Sequence, residues 1–188
     1  ISDLEVDQRE VNSKLYHIRY PIENSEDFIT IATTRPETML GDTAIAVNPS
    51  DERYKKVVGK FVTIPLVGRK IKIIEDEYAD PEQGTGAVKI TPAHDFNDYE
   101  VGERNNLEII NVFTEDGKIN ENAPKEFIGL DRFEARKQLL KKLKENNYFV
   151  EEENIKNKVP YGDRSNSIIE PFLTEQWFAD AKKLSIKA

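Results

Sequence analysis

Apolar and polar positions alternate over short stretches along most of the chain, and turn residues interrupt them every few positions, a pattern of many short strands. Lys14–Pro21 reads as the first strand, with Tyr16, Ile18 and Tyr20 on its buried face, and Phe28–Thr33 as its hairpin partner. Thr43–Val47 is a third strand. Ser50, followed by Asp51 and Glu52, reads as the cap of a short helix that Gly59 ends. Lys60–Pro65 and Arg69–Glu75 pair across a turn at Gly68. After a loop over Asp80–Gly86, Ala87–Thr91 is a strand closed by Pro92, and a helix follows from Asp95 to Arg104. Glu108–Phe113 reads as a further strand, ended by the Asp116-Gly117 turn. The longest helix is predicted over Arg132–Asn146, capped by Asp131 with Glu134 in a capping-box position, and with Phe133, Leu139, Leu140 and Leu143 as its apolar stripe. The fold class is α+β: a β-barrel-like core, because many short strands must hide their edges, with short peripheral helices.

The 188 residues suit one domain. With 27 basic and 35 acidic side chains the net charge is −8, which excludes a strongly basic nucleic-acid module. No cysteine is present, so disulfides and thiol catalysis are excluded. The two histidines, His17 and His94, are far apart in sequence, and no metal is expected. No apolar run approaches the roughly 20 residues of a membrane span. The chain opens on Ile1, has Met39 as its one methionine, and ends in a helical pattern over Gln176–Ala188. It reads as a single domain, 1–188, excised from a longer protein, with segments 1–12 and 175–188 leading to the missing body.

Two segments carry candidate chemistry. Thr33, Thr34, Arg35 and Thr38 leave a strand together, offering hydroxyls and a guanidinium fork suited to phosphate or carboxylate. Threonines also simply favour strands. In the second segment, Gly84–Tyr99, strand alternation puts Lys89 and Thr91 on one face, and Asp95 and Asp98 share one side of the first helical turn. One such aspartate is an ordinary cap. Two beside a lysine and a threonine form a pocket fit for a zwitterion with a polar side chain. His94 reads either as a hydrogen-bonded structural residue or as a general base. The lysines of the long helix read as a solvated face.

These same residues carry a resemblance. Thr33–Pro49 reads TTRPETMLGDTAIAVNP and Gly84–Gly102 reads GTGAVKITPAHDFNDYEVG; both resemble the editing insertion of class I aminoacyl-tRNA synthetases, most closely its valyl branch. The stretch from Val159 to Trp177, with Val159-Pro160, Arg164, Ile169-Glu170-Pro171 and Gln176-Trp177-Phe178, resembles the insertion's return strand. The signatures of adenylate formation are absent from the chain.

The resemblance implies an aminoacyl-tRNA hydrolase that clears threonyl-tRNA(Val). A synthetic pocket for valine rejects threonine by only about 10², a value known for valyl enzymes and taken as given, whereas accuracy needs roughly 10⁴–10⁵. The shortfall is roughly 3–4 kcal/mol. Valine and threonine are nearly isosteric, so a second pocket must read the hydroxyl. By resemblance, Asp98 holds the substrate ammonium, and Lys89, Thr91 and Asp95 form the catalytic set. Thr33, Thr34, Arg35, Thr38 and His94 bind the aminoacylated end. The implied partners are the acceptor end of tRNA(Val) and the rest of the synthetase; the implied state is monomeric, cytoplasmic and cofactor-free, ATP being used by the absent catalytic body. The charge predicts weak tRNA binding by the isolated domain, with Lys55, Lys56, Arg69, Lys70 and Lys72 as local guides. The alternatives are the editing domain of an isoleucyl or leucyl synthetase, and a noncatalytic tRNA-binding module.

Overall fold

The computed structural model describes residues 5–174, together with Ala179 and Ser185. The motif Gln176-Trp177-Phe178 and, apart from those two residues, the helix expected over Gln176–Ala188 lie outside them.

The strands make two open sheets. The first has three strands in the order β2-β1-β7, all antiparallel: β1 (Val6–Pro21), β2 (Phe28–Thr33) and β7 (Phe149–Gly162). The second has four in the order β4-β5-β3-β6: β3 (Ala44–Val47), β4 (Phe61–Thr63), β5 (Lys70–Glu75) and β6 (Ala87–Ile90). In it β3 runs parallel to β5 and antiparallel to β6, with Ile45 opposite Lys89. All four residues of β3 are buried, as a central strand with both faces covered must be. An isolated bridge between Ile22 and Val62 joins the sheets at one corner. The expected barrel is therefore corrected: the edges are not closed by continuous strand pairing.

Three other expectations change. The helix placed after Ser50 is a run of turns; Asn48, not Ser50, supplies the side-chain acceptor, taking Ser50 N–H at 3.0 Å, and Asp51 takes Arg53 N–H. Glu108–Phe113 is not a strand. It is held by side chains and one backbone bond: Asn120 and Asn122 side chains donate to Asn111 O, Asn120 N–H donates to Val112 O at 2.9 Å, and Phe113 bridges to Ile119. Finally, β7 starts ten residues before the expected return strand. Residues 6–12, read as a lead segment, form the outer half of β1 against it. Over Val6–Leu15 the two strands form a ribbon laced by Lys14–Glu152 and Lys156–Glu10 ion pairs, and at its outer end Tyr161 of β7 also bridges Ile168.

The apolar faces meet in one main core. Ile18 and Tyr20 of β1, Ile31 of β2, Met39 and Leu40, Ile45 of β3, Ile73 of β5 and Leu139 and Leu143 of the long helix are all fully buried. A smaller cluster under β6 joins Ala44, Ala46 and Ile90 to Val101 of α1 (Phe96–Asn105). The long helix, α2 (Arg132–Glu145), forms where predicted. Its cap is Asp131, which accepts Phe133 N–H at 2.8 Å; the carboxylate of Glu134 accepts from Lys137. Asp131→Ala should cost about 1 kcal/mol, read as a lower midpoint in urea with an unchanged slope.

Candidate active site

Strands β2 and β6 end side by side and deliver their trailing segments to one cavity of about 730 Å³. Thr33 ends β2, and after Thr34 and Arg35 the chain enters a 3₁₀ helix, Pro36–Gly41, which Pro36 starts without needing a backbone donor. Lys89 lies in β6. Thr91 follows it, Pro92 stops the strand, and Asp95 caps α1 by accepting Asn97 N–H at 2.9 Å and Asp98 N–H at 3.2 Å. Gly102 lets α1 lie on the strand end, since a Cβ there would sit 2.8 Å from Pro92. At the opposite rim Gly84 has φ +54° and its Cβ would meet that of Ala32 at 2.9 Å, so only glycine suits both constraints.

All nine residues singled out in the sequence line this cavity: Thr33, Thr34, Arg35, Thr38, Lys89, Thr91, His94, Asp95 and Asp98. Sequence reasoning missed Tyr78 and, from the ribbon, Leu15, Ile155 and Asn157. It also missed Asp42, which lies beneath the cavity and is fully buried. Asp42 Oδ2 accepts the Tyr20 hydroxyl at 2.8 Å; Oδ1 accepts the Thr91 hydroxyl at 2.6 Å and faces Lys89 Nζ at 3.3 Å. Lys89 Nζ in turn donates to Thr91 Oγ1 at 2.5 Å. Burial raises the Asp42 pKa, and the Lys89 charge and the three donors oppose that rise. The signal for Asp42 stood in the quoted motif, as the one charged residue of the Met39–Pro49 run.

Asp98 Oδ2 accepts the backbone N–H of Thr91 at 2.8 Å, locking the start of α1 to the end of β6. Burial is the main cause that lifts its pKa to about 6; Lys89 opposes the shift and Asp95 adds to it. The folded state therefore prefers the neutral acid. That preference is fully present below the ordinary value of 3.8 and is lost as pH rises through about 6. Asp98→Asn, neutral at every pH, should thus melt higher than the parent at pH 7.5, by roughly 3 kcal/mol at most, with the gap shrinking toward pH 4. A gap that does not change with pH would contradict the raised pKa.

His94 takes the structural role. Its Nε2 accepts Val112 N–H at 3.0 Å, which places the ring proton on Nδ1, and its ring packs 4.5 Å from that of Phe113. Burial, then Arg35 and Lys89, lower its pKa to about 3. A ring whose one basic nitrogen is engaged is a poor general base; its buried Nδ1–H, without a protein partner among the described residues, is a donor.

Arg35 is partly committed too. Nη1 donates to His94 O at 2.8 Å and Nη2 pairs with Glu170, so the return segment is tied to the cavity wall. Glu170, its pKa raised by burial, also meets Arg132 at 3.0 Å. Thr38 Oγ1 donates to Arg35 O. Behind them the fully buried Glu37 accepts two bonds of 2.7 Å from Arg136 of α2, fixing the 3₁₀ helix to the longest helix.

The proposed basic guides do not line the cavity. Arg69 donates to Leu40 O and Asp42 O, Lys70 pairs with Glu23, and Lys55 pairs with Glu52. Among the described residues one group, His17 with Glu151 and Glu153, brings potential metal-ligand atoms within 4.8 Å of one another, outside the cavity lining. No helix among them is long and apolar enough to cross a membrane.

The comparisons agree with the site. The family model described as "Leucyl-tRNA synthetase, editing domain" matches residues 50–149, which places the fold in the class of synthetase editing domains. The chain is 85% identical over all its residues to the valine--tRNA ligase of Pelagibacter ubique, covering 22% of it. It is 55% identical over 98% of its length to that of Geobacillus stearothermophilus, covering 21%. The chain belongs to the valine--tRNA ligase family, as its editing domain. It spans about a fifth of the length of these curated relatives. The fold is also shared with a LeuRS of Agrobacterium radiobacter K84, solved in a ternary complex with tRNA and LeuAMS: TM-score 0.57 at 22% identity, over 79% of this chain and 20% of that one.

Proposed function

We propose that this domain edits after transfer, hydrolysing the ester of threonyl-tRNA(Val). The observation that carries the reading is the buried triad of Lys89 and Thr91, which line the cavity, and Asp42 beneath them, 2.5–3.3 Å apart, with Asp98 beside it. Such a floor suits an alcohol. A valine methyl in the same place would strand polar groups, each at about 1–3 kcal/mol.

In this mechanism the aminoacylated 3′ end enters the cavity. Asp98, through the oxygen that Thr91 N–H leaves unused, holds the α-ammonium. Lys89 has three protons and two protein acceptors, which leaves one donor for the substrate hydroxyl or the attacking water. Asp95 caps α1 through Oδ1, and its second oxygen is open to orient water. His94 Nδ1–H offers a further donor. Thr38 shapes the pocket; Thr33, Thr34 and the remaining Arg35 donors position the terminal nucleoside. Water adds to the ester carbonyl, the ribose oxygen leaves with a proton, and threonine departs, a sequence that requires neither metal nor cofactor. Docking of the tRNA falls to the rest of the synthetase, since the chain carries −8. The working unit is taken as monomeric and cytoplasmic.

The test is deacylation by the full-length enzyme of threonyl-, valyl- and isoleucyl-charged tRNAs. Threonyl-tRNA(Val) should be cleaved about 10²–10³ times faster than valyl-tRNA(Val), the factor the synthetic site leaves uncorrected. Equal rates would refute the reading. Preference for another ester would point to a sister synthetase, and no turnover at all to a noncatalytic module.

A further inference from the structure

We propose that Arg53 and Tyr54, which do not line the cavity, are positioning residues for editing: they hold the rim loop Asp80–Gly86 at the separation from β2 that admits the aminoacylated end. The proposal rests on the editing reading above.

The run of turns between β3 and β4 contributes no group to the mechanism, yet its side chains reach the rim at three points. Asn48 Nδ2 donates to Ala79 O at 2.8 Å, just ahead of the loop. Arg53 Nη2 donates to Pro81 O at 2.8 Å near its start, and the Tyr54 hydroxyl donates to Thr85 O at 2.6 Å near its end. Asp51 aims the middle contact. Its buried carboxylate accepts Arg53 N–H at 3.0 Å, Nε at 2.9 Å and Nη2 at 2.6 Å, so one group fixes both the backbone and the guanidinium of Arg53. Tyr54 is half-buried and its ring packs on the main core. Gly86 leaves the guanidinium its place: φ is +79°, and a Cβ would stand 2.5 Å from Arg53 Nη2.

Four residues of the loop, Asp80, Gln83, Gly84 and Thr85, line the cavity. The loop's own bonds shape it without placing it: Gln83 N–H donates to Asp80 O, and Gly86 N–H to Gln83 O. Its close approach to β2 is Gly84 against Ala32, beside Thr33 and Thr34. A contact of that kind sets only a lower limit to the separation. The bonds from Arg53 and Tyr54 fix the separation itself. Without them the loop would sample arrangements that the incoming end must order on binding, a cost that appears in KM. Lys89, Thr91, Asp95 and Asp98 are held by bonds that do not involve the loop, so kcat is spared.

The experiment is the double substitution Arg53→Gln with Tyr54→Phe in the full-length enzyme, measuring kcat and KM for deacylation of threonyl-tRNA(Val), with valine charging as the control. KM should rise by about fivefold or more while kcat stays within about twofold. An unchanged KM, or a loss carried by kcat, would mark the two residues as a structural brace and overturn the proposal. A parent enzyme that leaves threonyl-tRNA(Val) intact would overturn the editing reading itself, and this proposal with it. Should the double variant fail to fold, Tyr54→Phe alone removes one hydroxyl and keeps the ring in its packing. It should show the same split to a smaller extent, and an unchanged KM there overturns the proposal equally.

Discussion

Asp98→Ala in the full-length enzyme should slow hydrolysis of threonyl-tRNA(Val) by at least about 10²-fold, the loss expected when a buried charge loses its partner. The carboxylate is nearly enclosed, and one oxygen is already spent on Thr91 N–H, so no neighbouring group can move in to meet an ammonium. Asp95 is the nearest substitute by charge, but its Oδ1 is held at the start of α1 by Asn97 N–H and Asp98 N–H, which fixes the carboxylate in its own place. Aminoacylation with valine should persist, since the domain lacks the signatures of adenylate formation. Threonyl-tRNA(Val) should therefore accumulate in a charging assay with the variant and not with the parent. Deacylation at the parental rate would remove Asp98 from the site.

The second large effect is on stability. Glu37→Ala should destabilise the domain by roughly 3 kcal/mol, because removing one member of a buried pair leaves the other charge uncompensated. Glu37 is fully buried, and its two 2.7 Å bonds from Arg136 join the 3₁₀ helix to α2. For a chain of this size the loss corresponds to a melting point roughly 6–12 °C lower. Arg35 precedes the same short helix and Thr38 lies on it, so threonyl-tRNA(Val) hydrolysis should weaken as well. An unchanged melting point would show that the pair does not hold the two elements together.

The site was more legible than the architecture, for physical reasons. Lys89, Thr91, Asp95 and Asp98 are close in sequence, and strand alternation followed by helical spacing already puts them on one side. Asp42 was hidden because its role depends on a strand pairing, β3 against β6, that brings it beneath Thr91 across 49 positions. Glu170 was likewise placed by partners more than thirty residues away. Among the elements, α2 announced itself by periodicity and cap. The start of β7 did not: Glu151, Glu152 and Glu153 show no apolar alternation, and all three are exposed. The turns after Asn48 imitate a helix start because Asn48 and Asp51 bond their own neighbours as a cap would. The barrel failed because strand count says how many edges exist and not which edges meet.

The ribbon has a mechanical consequence. Over its ten outer pairs, about 33 Å at strand rise, β1 and β7 run together from the body toward the Val6–Gly162 pair. Leu15, Ile155 and Asn157, near its root, are part of the cavity wall. The outer end is anchored as well, since Tyr161 bridges Ile168, whose carbonyl accepts from Arg132 of α2. Held at both ends, the ribbon works as a strut along one side of the chamber.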